Sequence, residues 1–216
     1  VDRATAERRK GVLAFEQARR AQADGDPAAA FKHLRQAHDL APDLVPASVR
    51  LAHLLVIDGK DRRAAGLIEK AWITAPHPDL AREYLNARRA DDALAAVKAM
   101  EKLARANPDH PESHLALAQA AADAALWGEA RKHLDAVIAG TGHDGYMGRA
   151  LRLLAAVEEG EGENPARARD WLLRAATAGP DNAWVCASCG NAAPEWSVTC
   201  SNCGQFDGYS WRTPPH

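Results

Sequence analysis

Small apolar and turn residues recur along the first part of the chain at a fixed separation of 34 residues. Segments 25–42 and 59–76 align with each other, and five pairs share this offset: Ala18 and Ala52, Gly25 and Gly59, Ala30 and Ala64, Ala37 and Ala71, and Pro42 and Pro76. Self-similarity at a fixed period is the signature of a repeat architecture. The pattern therefore predicts a stack of similar helical units.

The residue type at each repeated position has a structural reason. Glycine permits the tight turn between two antiparallel helices, and proline ends the second helix because it cannot continue the hydrogen-bond ladder. Alanines allow the helices to cross closely, while the larger Leu34 and Ile68 fill the space beside them. This unit resembles the tetratricopeptide repeat, a helix–turn–helix of 34 residues with the same spacing of small residues and a closing proline.

The same register continues less regularly toward residue 180. The residues that mark three further units are Ala96, Met100 and Pro108, then Ala118, Ala130 and Leu134, and finally Ala156, Ala168, Leu172, Ala175 and Pro180. The first helix of the third unit, near 79–89, is expected to be short, and segment 160–163 is a predicted insertion. The fourth unit lacks the proline and is expected to exit through Gly140, Gly142 and Gly145. We predict an all-α, right-handed solenoid of five helix pairs over residues 1–180.

Composition and charge restrict the class of partner. The chain has 216 residues and a formal net charge of −2, and 6% of its residues are aromatic. Its cationic residues form no extended basic surface of the kind that binds nucleic acid, apart from a local group near the start: Arg3, Arg8, Arg9, Lys10, Arg19 and Arg20. No apolar run approaches the ~20 residues of a membrane-spanning helix. Since the chain begins with Val1, we interpret it as a soluble piece of a longer protein.

All four cysteines lie in the last 31 residues, as two C-x2-C pairs: Cys186, Cys189, Cys200 and Cys203. Each pair is followed by glycine, and two such knuckles provide four thiolates for one tetrahedral metal ion. A redox dithiol and two structural disulfides are the alternatives, but the first usually accompanies a strand–helix domain and the second an exported protein. The pattern favours Zn²⁺, with a rubredoxin-like iron site as the alternative.

The cysteine segment is predicted to be a separate module of residues 181–216. A segment of about 30 residues cannot bury enough surface to fold by itself, so metal binding is expected to supply its folding free energy. Its aromatic residues are expected to cover the metal turns and to dock the module onto the last helix pair: Trp184, Trp196, Phe206 and Trp211.

The combination of helical repeats with this tail resembles the HemY family of haem-biosynthesis-associated repeat proteins, in its alphaproteobacterial form. The resembling residues are Trp184, Pro194-Glu195-Trp196, Phe206-Asp207 and Trp211-Arg212-Thr213-Pro214. The resemblance implies a scaffold that organises late haem or porphyrin biosynthesis enzymes at the cytoplasmic face of the bacterial inner membrane, through an N-terminal anchor outside this chain. The alternative family is lipopolysaccharide assembly protein B, an adaptor with cytoplasmic repeats and a rubredoxin-like tail.

Three functional classes follow from these residues. An enzyme is disfavoured, because no phosphate loop or nucleophile elbow is present and the eight internal histidines form no recognisable catalytic motif. A haem or porphyrin carrier needs an axial ligand, for which His53 is the candidate. A non-enzymatic adaptor is favoured, because the first helices of stacked repeats line a groove for a peptide or helix. The candidate groove residues are Arg19, Gln22, His53, Gln119 and Asp123.

Overall fold

The computed structural model describes residues 2–162 and 164–215, and within these ranges it contains ten α-helices followed by three short β-strands. The helices are α1 (Arg3–Ala23), α2 (Pro27–Leu40), α3 (Val45–Ile57), α4 (Asp61–Thr74), α5 (Pro78–Arg88), α6 (Ala93–Ala104), α7 (Pro111–Asp123), α8 (Trp127–Ala139), α9 (Asp144–Glu161) and α10 (Pro165–Thr177). The strands are β1 (Ala183–Cys186), β2 (Ala192–Ala193) and β3 (Tyr209–Arg212). The predicted all-α repeat fold with a small four-cysteine tail is confirmed.

The chain divides into two compact units, residues 1–89 with 196–209, and residues 90–195 with 210–216. In the first unit, α1 to α5 pack in sequence order and α3 also contacts α5. In the second unit, α6 to α10 pack in sequence order and α7 also contacts α9. Contacts between the first helices of neighbouring pairs are the packing expected for stacked helical repeats. The predicted domain division at residues 180 and 181 stays a prediction.

The turns between paired helices explain the periodic glycines. Gly25 and Gly59 lie in the left-handed region, with φ values of 75° and 69°. In the fourth pair Ala125 occupies the corresponding position with a φ of 55°. The three turns share the same backbone hydrogen bond. The amide of the residue that follows the turn residue donates to a carbonyl near the end of the preceding helix: Asp26 to Ala21, Lys60 to Leu55 and Leu126 to Ala121. The fold thus imposes the left-handed turn even where the sequence lacks glycine.

The core consists of small residues interleaved with branched ones. Ala30, Ala64, Leu34 and Ile68 are all fully buried, as the repeat predicted. Gly11 on α1 shows how closely the first two helices cross, because a Cβ there would lie 2.8 Å from Cβ of Ala41. Helix–helix contact at this distance explains why the sequence has few large apolar residues.

The later repeats follow the predicted pattern in two places and depart from it in two others. Helix α5 has 11 residues and is short, as expected. The insertion at 160–163 lengthens α9 to 18 residues and ends it at Gly162, a left-handed C-cap, while Glu163 lies outside the described residues. Gly145 belongs to α9 and not to the preceding turn. Leu172 is 45% exposed, because α10 packs mainly against α9 and leaves its other face in solvent.

The tail forms a three-stranded sheet in the order β2-β1-β3. Strands β1 and β2 are antiparallel, with Trp184 opposite Ala193 and Val185 opposite Ala192. Over the described part of the chain, none of the helices has the length and apolar character needed to cross a bilayer.

Candidate metal centre

The two C-x2-C turns have the same backbone structure. In the first, Gly190 donates its amide to the carbonyl of Cys186 at 2.9 Å, and Cys186 donates to the carbonyl of Asn191 at 2.9 Å. In the second, Gly204 and Cys200 make the equivalent bonds, the latter to Gln205, also at 2.9 Å. Both glycines have a φ of 72°, a conformation that L side chains rarely adopt. Glycine after the second cysteine is therefore a requirement of the turn.

The turns bring the four predicted ligands together. The Sγ atoms of Cys186, Cys189, Cys200 and Cys203 all lie within 4.8 Å of one another. Four thiolates around one ion at Zn–S distances of about 2.3 Å would be about 3.8 Å apart, so the sulfurs are close enough to share one metal ion. Among the described residues this is the one group of three or more metal-ligating side chains that meets so closely.

Burial alternates within each turn. Cys186 and Cys200 are buried, whereas Cys189 and Cys203 are exposed. One side of the cluster is thus buried and the other is open to solvent. Four sulfurs leave no open coordination position, so the donor set is typical of a structural metal site. Four thiolates can bind either Zn²⁺ or iron, and the choice between these metals stays a prediction.

The second cysteine turn is held by helix α1, within the first unit. The ring of Trp196 meets the ring of Phe15 edge-on, with centroids 5.3 Å apart and an interplanar angle of 84°. Trp196 is 9% exposed and Phe15 is 4% exposed. The prediction that Trp196 docks onto the last helix pair is therefore wrong. Phe15 provides an apolar surface on α1 that the repeat pattern did not single out as a docking point.

The beginning and end of the tail are held by helix α9, within the second unit. The carboxylate of Asp181 accepts the backbone amide of Arg149 at 3.0 Å and also pairs with the guanidinium of Arg152. Asn182 donates its amide to the carbonyl of Gly145 at 2.9 Å, and its side-chain oxygen accepts from Thr213 at 3.0 Å. Gly145 has no Cβ, and this permits the close approach.

In the first unit, the predicted groove residues lie in a row of polar contacts on α1, α3 and α5. Arg19 binds Glu16 at 2.9 Å, and this bond is the main reason why the pKa of Glu16 falls to about 2. Gln22 accepts from Arg50 of α3 at 3.3 Å. His53 lies 3.3 Å from a carboxylate oxygen of Glu83 on α5, and its side chain is 58% exposed. Its role as a haem ligand stays a prediction.

In the second unit, the other two groove residues lie on α7. Gln119 donates its side-chain amide to the carboxylate of Asp123 at 2.9 Å, and both residues are exposed. Partner binding by any of these five residues stays a prediction.

A basic cleft of about 490 Å³ escaped the sequence interpretation. It lies between the turn before α4 and the end of α5, and Asp61 pairs there with Arg89 at 2.8 Å. The cationic residues that line it are Lys60, Arg62, Arg63, Arg88 and Arg89. They come from two short clusters that are 25 residues apart in sequence. Residues 60–63 lie at the start of α4 and residues 88–89 at the end of α5, and this position of basic residues at helix ends is the sequence signal that could have revealed the cleft.

Comparison with known proteins gives a different context from the one expected. No family model matches the chain. The chain is 30% identical over 188 residues to the probable magnetosome protein Mms48 of Magnetospirillum gryphiswaldense, an alignment that covers 87% of this chain and 41% of that protein. The chain therefore spans less than half the length of this relative.

Solved helical-repeat structures show a distant similarity. A crystal structure of MamA matches with a TM-score of 0.44 and 16% identity, over 77% of this chain and 90% of that one. The crystal structure of YrrB, described as a TPR protein with an unusual peptide-binding site, matches with a TM-score of 0.43 and 16% identity, over 77% of this chain and 85% of that one.

These comparisons overturn two expectations. The resemblance to the HemY family is wrong, since the curated protein that the chain matches is a probable magnetosome protein. The expected position at the cytoplasmic face of the inner membrane is wrong for the same reason, and haem-biosynthesis enzymes lose their support as partners. The HemY interpretation depended on aromatic and proline residues around the cysteines. What remains is a chain of paired helices that is similar to part of Mms48.

Proposed function

We propose that the protein is a non-enzymatic adaptor that binds a peptide or a helix of a partner protein on the polar face of α1, α3 and α5. The observation that carries the proposal is the set of side chains that connects these helices: Glu16, Arg19, Gln22, Arg50, His53, Glu83 and Asn86. The first helices of repeat pairs commonly present the binding surface of helical-repeat proteins. Recognition by such a face needs no catalytic group.

Arg50 and His53 occupy the centre of this polar face. Arg50 reaches Gln22 on α1 and also lies over the ring of Phe15, 5.1 Å from its centroid. His53 reaches Glu83 on α5. Glu83 is 7% exposed and also accepts from Asn86 at 3.3 Å, so a carboxylate lies at the base of the face. Both signs of charge are present, and this favours a partner segment of mixed polar character.

The cysteine module is proposed to be a structural zinc site that holds the tail in its fold. Four converging thiolates and two equivalent turns support this role. Zinc with four sulfur ligands offers no open position for substrate, so the proposal agrees with an adaptor and not with a metalloenzyme.

The cellular context is proposed from the relative. Mms48 is described as a probable magnetosome protein, and we propose that the longer protein containing this chain takes part in magnetosome assembly or organisation. Co-purification of the tagged full-length protein with magnetosomes from a magnetosome-forming host tests this context. Recovery only in fractions without magnetosomes would contradict it, while leaving the adaptor proposal to its own test.

Peptide selection on the zinc-loaded protein tests the adaptor proposal. Peptides recovered from a random display library are measured by fluorescence anisotropy against wild type, Arg50→Glu and His53→Ala. We expect at least tenfold weaker binding to Arg50→Glu and a smaller loss for His53→Ala. The matched control is Arg35→Glu on α2, where Arg35 is exposed and lies on a second helix. Equal affinity of Arg50→Glu and wild type for every selected peptide would refute the proposed face.

A second pair of variants tests the remaining predicted residues. Gln119→Ala and Asp123→Ala remove the polar pair on α7 without burying a charge. Loss of affinity in these variants would show that α7 also takes part in peptide binding. Unchanged affinity would restrict it to α1, α3 and α5.

A further inference from the structure

Two histidines that are 19 positions apart in sequence meet across the fourth helix pair. His114 on α7 and His133 on α8 lie with their Nδ1 atoms 3.0 Å apart. Their rings are 5.3 Å apart at the centroids and tilted by 39°. Both residues are partly buried. The contact lies in the second unit and shares no residue with the cysteine cluster or with the proposed peptide face.

A carboxylate holds the other side of one ring. Nε2 of His133 lies 3.2 Å from Oε1 of Glu129, one helical turn earlier on α8. A proton on Nε2 satisfies this contact and leaves the lone pair of Nδ1 directed at His114. A carboxylate behind a histidine is the arrangement that fixes the tautomer and the orientation of metal-ligating imidazoles. Glu129 also pairs with Lys132 at 2.8 Å, so its position is restrained from two sides.

The distance between the two nitrogens suits a chelate. Imidazole nitrogens bind Zn²⁺ and similar ions at about 2.0–2.1 Å. Two such ligands separated by 3.0 Å subtend an angle of about 90° at the metal, which is the angle between adjacent ligands in octahedral or square-planar coordination. In the absence of metal, the same contact is a hydrogen bond between the two Nδ1 atoms, and the tautomers of the two rings set its direction.

We propose that His114 and His133 form a second metal site, a two-histidine chelate for a divalent transition-metal ion such as Ni²⁺ or Cu²⁺. Glu129 acts as the positioning residue for His133, and water completes the coordination. Imidazole ligands suit these ions, and two cis nitrogens match their preferred geometries better than the tetrahedral angle of zinc. Metal binding replaces one hydrogen bond and links α7 to α8.

The test is a titration of the zinc-loaded protein with Ni²⁺, in which isothermal titration calorimetry measures the binding. A chromophoric chelator in a parallel sample reports any zinc displaced from the cysteines. We expect one Ni²⁺ bound per chain without zinc release. His114→Ala and His133→Ala should each weaken binding at least tenfold, and Glu129→Gln should weaken it by a smaller factor. The control is His33→Ala on α2, a partly buried histidine outside both proposed sites, which should bind Ni²⁺ as wild type does.

A measurement on the unaltered protein keeps the test independent of folding defects. Long-range ¹H–¹⁵N spectra report the protonation state of each imidazole nitrogen. A diamagnetic ion, Zn²⁺ added beyond the first equivalent, should shift Nδ1 of both His114 and His133 together. Binding of no ion beyond the cysteine site, or equal Ni²⁺ affinity in wild type and both alanine variants, would overturn the proposal.

Discussion

The guanidinium of Arg8 holds the carboxylate of Asp207 with two bonds, from Nε at 2.8 Å and from a terminal nitrogen at 3.1 Å. Asp207 follows the second cysteine turn and adopts a left-handed conformation, with a φ of 48°. Its amide donates to the carbonyl of Val198 at 2.8 Å. Arg8 thus connects α1 to a strained residue of the tail. Burial opposes the charge of Arg8, but Asp207 and Asp43 raise its pKa overall.

Replacing Arg8 should loosen the second cysteine turn from α1. The carboxylate of Asp207 is 9% exposed, so Arg8→Ala leaves a largely buried charge without its guanidinium. We expect a loss of about 1–3 kcal/mol in the free energy of unfolding. Chemical denaturation of Arg8→Ala, Asp207→Asn and the double variant measures the coupling. Additive single-variant effects would show that the pair contributes nothing specific.

Glycine at position 125 should stabilise the protein. Ala125 has a φ of 55°, and the corresponding turn residues of the first two pairs are glycines. Because a Cβ disfavours the left-handed region, Ala125→Gly should raise the free energy of unfolding by about 1 kcal/mol. The reciprocal variant Gly25→Ala should lower it by a similar amount. Thermal unfolding of the pair checks both signs, and destabilisation by Ala125→Gly would contradict the interpretation.

Alanine at position 145 should detach the ends of the tail from α9. A Cβ at this position clashes with the side chains of Asn182 and Thr213. We expect a cost of about 1–3 kcal/mol, typical of overpacking. Gly66→Ala is the matched control, because it is also helical but its Cβ would meet no atom within 4 Å. The free energy of unfolding of the Gly66→Ala control should rise by about 0.5–1 kcal/mol. Equal effects of the two variants would refute the role of close approach.

Removal of the metal should unfold the tail before the helices. Apparent binding free energies of structural zinc are on the order of 10–16 kcal/mol, far more than a segment of this size gains from burial. With a strong chelator, the tryptophan emission of the protein should shift to longer wavelength as Trp196 leaves Phe15, while helical circular dichroism persists. Elemental analysis should find one metal per chain in wild type and in the control Ser188→Ala. Unchanged metal content in Cys186→Ala and Cys200→Ala would contradict the site.

Stability should fall as the pH decreases from about 7 toward 5. Burial lowers the pKa of His38, while Asp39 opposes and Lys70 assists the shift. The unfolded chain then takes up the proton first, at its ordinary pKa near 6.5, so stability is lost as the pH falls below that value. His38→Gln, which retains a polar partner for Ser48, should flatten the dependence. The comparison is made by denaturant unfolding at fixed metal content, and parallel curves would exclude His38 as a contributor.

The sequence by itself determined the local structure. Gly25, Gly59 and the buried alanines at a period of 34 are consequences of the backbone conformation and contact distance within one repeat, so they are visible as a pattern. The two C-x2-C turns are equally local, because each needs only four residues and a following glycine. The residues around the cysteines resembled those of the HemY family, but they did not identify the family, because the relative that the chain matches is a probable magnetosome protein.

Tertiary structure decided which surfaces meet. Trp196 packs on Phe15, Asp207 pairs with Arg8 and His114 faces His133, and none of these pairs has a characteristic sequence spacing. Such contacts depend on the lengths and packing angles of several helices. A change of one turn in the length of one helix would therefore bring different residues together. The sequence specifies each repeat through short-range rules, whereas the partners of its polar and aromatic side chains are fixed only when the repeats are packed.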